Sequence, residues 1–316
     1  MGFSITGGVS ITGGVSLTPG GSDPTPGGGS FQGSNFGYIS GGGYGSDFTD
    51  TIEKFSFSSD SNATDVGNLT ASRASVAGQS SSVSGYTSGG HAPAFVDIID
   101  KFPFTSDGNA TDVGDLTIGR QLPAGQSSSA SGYTSGGLAP PIVNTIDKFP
   151  FASDGNATDV GDLTDNKFNL SGQSSTISGY TSGGYDGVGT LNTIEKFPFA
   201  SDADGTDVGD LSVGRSGSSG QSSSVSGYAS GGYASDATNV IEKFPFASDA
   251  SSTDVGDLTA SRRQTAGQSS TASGYTSGGA NNDNTIDKFP FASDSNATDV
   301  GDLTESNHWS PAGQQY

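Results

Sequence analysis

The chain contains no cysteine, one methionine, one tryptophan and two histidines in 316 residues. Without cysteine there is neither a disulfide nor a thiolate, so stability rests on packing or assembly and the redox compartment is not written in the sequence. His91 and His308 lack a repeated carboxylate partner, which leaves little material for general-base or triad catalysis. Cations are scarce as well: 12 basic residues face 33 acidic ones, and a net charge of -21 repels nucleic acid and anionic membrane surfaces. No run of 18 or more apolar residues occurs, so no membrane insertion is expected. Met1-Gly2-Phe3-Ser4-Ile5 has neither the basic start nor the apolar centre of a secretory signal.

What the chain has in abundance is glycine, 51 residues, with only 30% hydrophobic residues. That composition without a period reads as disorder, because too little apolar area is available for burial. A period is present. A Gly-Tyr pair recurs with Tyr38, Tyr86, Tyr133, Tyr180, Tyr228 and Tyr275, at spacings of 48, 47, 47, 48 and 47 residues. Repeated units can share buried faces with their neighbours, so the chain is expected to fold as one ordered body.

Each unit carries four β-type segments and no helical periodicity. In the third copy they are the small-residue run from Gly125 to Ser128, the run from Gly132 to Gly137, the apolar run from Asn144 to Phe151, and Thr158 to Thr164. Proline in the third segment (Pro103, Pro150, Pro198, Pro245, Pro290) removes a ladder donor, so the strand ends or bulges there. Four-stranded units of 40 to 50 residues predict β-propeller blades, with the small-residue segment innermost where space is least. The fold expected is an all-β, six-bladed propeller over residues 31–316. Ala312-Gly313-Gln314-Gln315-Tyr316 restarts the first segment and stops, so residues 312–316 are expected to close the ring and cover a sheet edge. Residues 1–30, with Ser4-Ile5-Thr6-Gly7-Gly8-Val9 repeated as Ser10-Ile11-Thr12-Gly13-Gly14-Val15 before a Pro- and Gly-rich linker, read either as a floppy tail or as an extended arm adding strands to a partner.

The copies disagree in two places. The second-to-third connection (43–50, 91–97, 138–144, 185–192, 233–239, 280–284) and the fourth-to-first connection (for instance 71–77 and 118–124) differ in every copy, and in an up-down blade both emerge on one side. That variable face carries apolar and aromatic candidates for binding: His91, Phe95, Leu138, Ile142, Tyr185 and Tyr233. A second candidate set is basic. Arg73, Arg120, Lys167, Arg215 and Arg262 recur after the fourth segment, with Asn307 in the sixth copy; they are either packing residues of the repeat or a ring able to fork onto a carboxylate or sulfated sugar. The pairs Glu53-Lys54, Asp100-Lys101 and Asp147-Lys148 read as solvated edge charges.

On the uniform side, Asp107, Asn109, Thr111 and Asp115 have the oxygen spacing of a calcium loop, without a bidentate carboxylate at its twelfth position. A tight turn bonding its own backbone is the competing assignment, and no cofactor is expected. Eighteen of the 33 acidic residues lie in these six runs, concentrating charge on one side.

The order Arg120, Gly125 to Ser128, Gly136-Gly137, Ile146 to Phe151 resembles the kelch repeat. It departs in lacking the fourth-strand tryptophan; the only tryptophan, Trp309, lies in the tail. Whole segments, such as Asn144 to Asp154 and Asn156 to Thr164, are similar to kelch-like repeats of virion structural proteins in marine tailed bacteriophages. That resemblance implies a particle component with no catalytic residues to carry over. The expectation built on it is that the arm anchors the propeller to other virion proteins, within a homo- or hetero-oligomeric assembly, and that the variable face touches a host-surface glycan or protein. A free polysaccharide-binding or polysaccharide-hydrolysing propeller is the alternative.

Overall fold

A computed structural model describes residues 32–280, 283–306 and 308–316. The arm expected over residues 1–30 lies outside these. Six four-stranded antiparallel sheets stand in a ring as the blades of a β-propeller, compatible with a kelch-like repeat. Blade two shows the pattern: Ala77–Ser80 innermost, then Ser84–Ser88, Ile98–Pro103 and, outermost, Thr111–Asp115. In five blades the third strand ends at its proline, where the ladder donor is lost.

The first blade is completed from the other end of the chain. Ala312–Gln315 pairs antiparallel with Phe36–Ser40, matching Gly37 with Gln315 and Ser40 with Ala312. It occupies the place that Ala77–Ser80 holds in blade two, so no inner strand edge is left open.

Glycine sets how close the blades come. At the axis Gly78, Gly125, Gly172, Gly220, Gly267 and Gly313 form a closed ring, and a Cβ on any of them would collide with a backbone carbonyl of a ring neighbour. The glycine of each Gly-Tyr pair lies under a phenylalanine of its own blade, as Gly85 does under Phe102. A side chain there would push the third strand off the second.

The core lies between blades rather than within them. Third-strand residues alternate, so Asp100 and Phe102 face blade one while Ile99 and Lys101 face blade three. Each Gly-Tyr tyrosine meets two phenylalanines of the following blade: Tyr86 stacks on Phe151 at 4.8 Å and tilts against Phe149 at 5.5 Å. Tyr275 makes the same pair of contacts with Phe57 and Phe55, across the join between the last blade and the first. Each such aromatic pair stabilises by about 0.5–1.5 kcal/mol beyond simple burial.

Polar rings run alongside the aromatic one. Ser80, Ser127, Ser174, Ser222 and Ser269 are linked from backbone N–H to side-chain oxygen, with Gln315 filling the sixth place. Gln79 donates to the Tyr133 carbonyl of the next blade, and the five equivalent glutamines do likewise, through Gln314 to Tyr86.

Candidate functional site

The variable face is assembled by pairing two connections that the sequence keeps far apart. After each fourth strand the chain passes along the second-to-third connection of the next blade, bridging Ala74 to His91, Gln121 to Leu138, Phe168 to Tyr185 and Ser216 to Tyr233. The same place in the last two joints holds Arg263, whose carbonyl accepts from Ala280 N at 2.9 Å, and Trp309, whose carbonyl accepts from Gly43 N at 3.1 Å. Six inner and six outer positions thus surround the axis, and the residues on them differ from joint to joint.

One residue closer to the axis, the backbone closes on itself. Leu122 N donates to Ser75 O, Asn169 to Leu122, Gly217 to Asn169, Gln264 to Gly217, Ser310 to Gln264 and Ser75 to Ser310, at 2.6–2.9 Å. All six residues have φ between 51° and 65°, the left-handed region that turns N–H and C=O along the ring. The ring frames a polar cavity of about 60 Å³ at the mouth of the axis, lined also by Thr265 and Pro311. Below it the glycine ring leaves cavities of about 100 and 50 Å³. These spaces suit water rather than a substrate.

The six predicted apolar candidates do lie on this face. Phe95 and Tyr233 are each 36% exposed, and His91, Leu138, Ile142 and Tyr185 are half-buried. They are not gathered into one pocket. His91 sits edge-on between Phe48 at 5.6 Å and Phe95 at 5.8 Å, Tyr185 meets Phe168 at 5.6 Å, and Tyr233 takes the guanidinium of Arg263 over its ring at 4.7 Å. Tyr44 stacks on Trp309 at 4.2 Å. A recess of about 270 Å³ on this side lies under residues 234–238 between Val213 and Val240.

The repeated basic residues are elsewhere, and the expectation of a ligand-binding ring is corrected. Arg73, Arg120 and Lys167 are fully buried, and Arg215 and Arg262 nearly so. Each reaches a carboxylate on the third strand of the next blade: Arg73–Asp100 and Arg120–Asp147 at 2.9 Å, Lys167–Glu195 at 2.6 Å, then Arg215–Glu242 and Arg262–Asp287. The same carboxylates accept from a threonine or serine at the end of the preceding blade's fourth strand, as Asp147 does from Thr117 N and Oγ1 at 2.9 and 2.7 Å. These groups lock the joints and have no surface to offer a ligand.

Asn307, expected in the sixth position, lies outside the described residues, and His308 fills that position. Its Nε2 lies 2.8 Å from Glu53 Oε1 and its Nδ1 3.0 Å from the Gly41 carbonyl, with both side chains of the pair fully buried. Burial works against the charged imidazole, but the hydrogen bond and charge of Glu53 outweigh it and hold the His308 pKa above its ordinary 6.5. Burial likewise opposes the Glu53 carboxylate, yet the bonds from His308 and Thr304 keep its pKa below 4.5.

Nor are the Asp-Lys and Glu-Lys pairs solvated edge charges. Asp100, Asp147 and Glu53 are the buried partners just described. Their neighbouring lysines point the opposite way along a strand covered on both sides, and each reaches an aspartate of the following blade, in a second ring from Lys54–Asp107 to Lys288–Asp60 at 2.5–2.9 Å.

That ring bears on the calcium-like run. Asp107 accepts from Lys54, Asn109 Oδ1 accepts from Asn68 N at 3.1 Å, and Asp112 accepts from Gly114 N. The first two oxygens turn to the preceding blade, and only Asp112 bonds its own turn. Among the described residues no three His, Asp or Glu side chains gather as metal ligands.

Arg263, Tyr44, Phe48 and Phe168 were not singled out by sequence reasoning, and Trp309 was set aside as a tail residue. The signals were present: Arg262-Arg263 is a doublet where other copies have one cation, and Trp309 follows the basic slot once His308 is placed in it. No family model matches the chain, and no curated protein matches it either.

Proposed function

We propose that the protein is a non-enzymatic structural component of an extracellular particle, a virion protein of the marine tailed-phage kind that its repeats resemble, whose variable face adheres to a host-surface glycan or protein. On this proposal residues 1–30 attach the propeller to other particle proteins, within an oligomeric assembly. One observation carries it: the charged, aromatic and serine rings repeat at every joint, while the two connections on one face alone diversify and are enriched in aromatic side chains. A scaffold held uniform beneath loops free to vary is the arrangement of a recognition surface.

The two histidines fit no catalytic part in it. His308 is consumed in a buried ion pair and His91 lies between two phenylalanines. The test is cryo-electron microscopy of native particles together with incubation of the purified chain on a polysaccharide panel. Six-bladed densities on the particle with the variable face outward are the expected result; release of reducing sugar by the purified chain would overturn the proposal.

A further inference from the structure

The chain has 12 lysines and arginines, and eleven of them are held in the two rings of ion pairs between blades. The twelfth, Arg263, makes no ion pair among the described residues. It lies on the variable face with its guanidinium 4.7 Å from the centre of the Tyr233 ring and 5.9 Å from that of Trp309. Trp309 in turn stacks on Tyr44, ring centres 4.2 Å apart and planes 11° from parallel, and Tyr44 is 63% exposed. Blades five, six and one thus converge on a cation flanked by two aromatic rings, with a third stacked on one of them.

The position differs from its equivalents in what faces these side chains across the bridge. At the equivalent place in another joint Phe168 is covered edge-on by Tyr185 across the bridge. Among the described residues, Ala280 and Gly43 stand across from Arg263 and Trp309, and neither has the side chain to pack on them as Tyr185 packs on Phe168. Stacking on aromatic faces occupies the flat surface of a guanidinium and leaves its in-plane N–H groups at the rim, the geometry that forks onto a carboxylate. Tyr44 and Trp309 add a flat apolar wall beside that fork. Arg262, next in sequence, is taken up by Asp283 and Asp287, so of this doublet Arg263 alone offers its guanidinium to a ligand; Asp47 stands opposite Tyr44 in its hairpin and Asp236 in the loop after Tyr233.

We infer that Arg263, Tyr233, Trp309 and Tyr44 form a binding site for an acidic saccharide, in which the guanidinium takes the carboxylate of a uronate- or sialate-type sugar and the aromatic wall takes the apolar face of its ring. The inference rests on the variable face being the recognition face, and names the ligand chemistry of one sector of it. A fork onto a carboxylate discriminates a charged sugar from a neutral one of the same shape, because the neutral sugar leaves the guanidinium unpaired.

Trp309 is the only tryptophan in the chain, so tryptophan emission reports on this site alone. The full-length protein is titrated with oligogalacturonate, with a sialylated oligosaccharide, and with neutral maltooligosaccharide of matched length. Saturable change in emission with an acidic sugar, and affinity at least roughly tenfold weaker for the neutral one, is the expected result. Arg263→Gln, which touches neither ring of ion pairs, is expected to keep the wild-type melting temperature and weaken acidic-sugar binding by roughly tenfold or more, while Arg263→Lys falls between. Equal binding of neutral and acidic sugars, unchanged affinity in Arg263→Gln, or no emission change with either acidic sugar overturns the site. A glycan array and a host-cell surface, probed with wild type and Arg263→Gln, separate the two levels. Equal retention of both proteins removes the site and leaves the face standing, whereas retention of neither removes both.

Discussion

Five joints between blades are built on a guanidinium or ammonium group and the sixth on an imidazole. The sixth is also the joint at which the last blade meets the first, and it differs in two further ways: Gln315 stands in the serine ring, and the inner strand next to it, Ala312–Gln315, reaches its sheet with no chain connection to the strand it pairs with. Its aromatic contacts and its outer Lys288–Asp60 pair are those of the other five. The parts of a joint are not equally interchangeable. The contact of one tyrosine with two phenylalanines recurs at all six joints, whereas the buried charge is kept in place but not in kind.

The largest effect expected is from removing the closing strand. Deleting residues 312–316 strips the ladder from Phe36–Ser40, the Gln314 bonds to Ser40, Tyr86 and Thr87, and the sixth member of the serine ring. At about 1 kcal/mol for each bond lost, the cost is roughly 5 kcal/mol or more. That corresponds to a melting temperature lower by at least about 10 °C, with association through the exposed edge. Thermal circular dichroism and size-exclusion chromatography check it; an unchanged melting temperature would refute closure as a source of stability.

A smaller effect separates the two kinds of joint. Asp147→Asn strands Arg120, which cannot give up its proton, in a site with no exposure, at a cost of about 3–5 kcal/mol. Glu53→Gln leaves His308, which can become neutral and still hydrogen-bond Gly41. The closing joint is therefore expected to lose less than half as much at pH 8, as measured by denaturant midpoints. Equal losses would mean that the imidazole behaves as a fixed charge.

The propeller was legible because the Gly-Tyr period is nearly constant, and the closing strand because Ala312-Gly313-Gln314 copies Ala77-Gly78-Gln79. The buried ion pairs were not. In an ordinary sheet one face meets solvent, so adjacent charges such as Asp100 and Lys101 suggest an edge; in a propeller both faces meet a blade, and adjacent residues are drawn to opposite neighbours. Arg73 and Asp100 belong to different blades, and no local pattern pairs them. The loops of the variable face were legible from disagreement among the copies, but the cluster around Arg263 was hidden by a one-residue slip. Placing Asn307 rather than His308 in the basic slot left Trp309 off the face it joins.

The mildest of the expected effects comes from pH, and it concerns the closing joint alone. His308 has a pKa raised above 6.5 in the folded chain, so its contribution is fully present below that value and is lost as pH rises through the folded pKa. Glu53 has a pKa held below 4.5, so its contribution is present above that value and is lost as pH falls through the folded one. The pair is therefore strongest between about 4.5 and 6.5 and weakens on the alkaline side, where the guanidinium joints do not titrate. A net charge of -21 adds its own pH dependence, which His308→Arg leaves in place while removing the imidazole step. Denaturant midpoints measured from pH 6 to pH 9 are expected to fall more steeply for wild type than for His308→Arg. Parallel slopes would show that the imidazole gives the closing joint no pH sensitivity of its own.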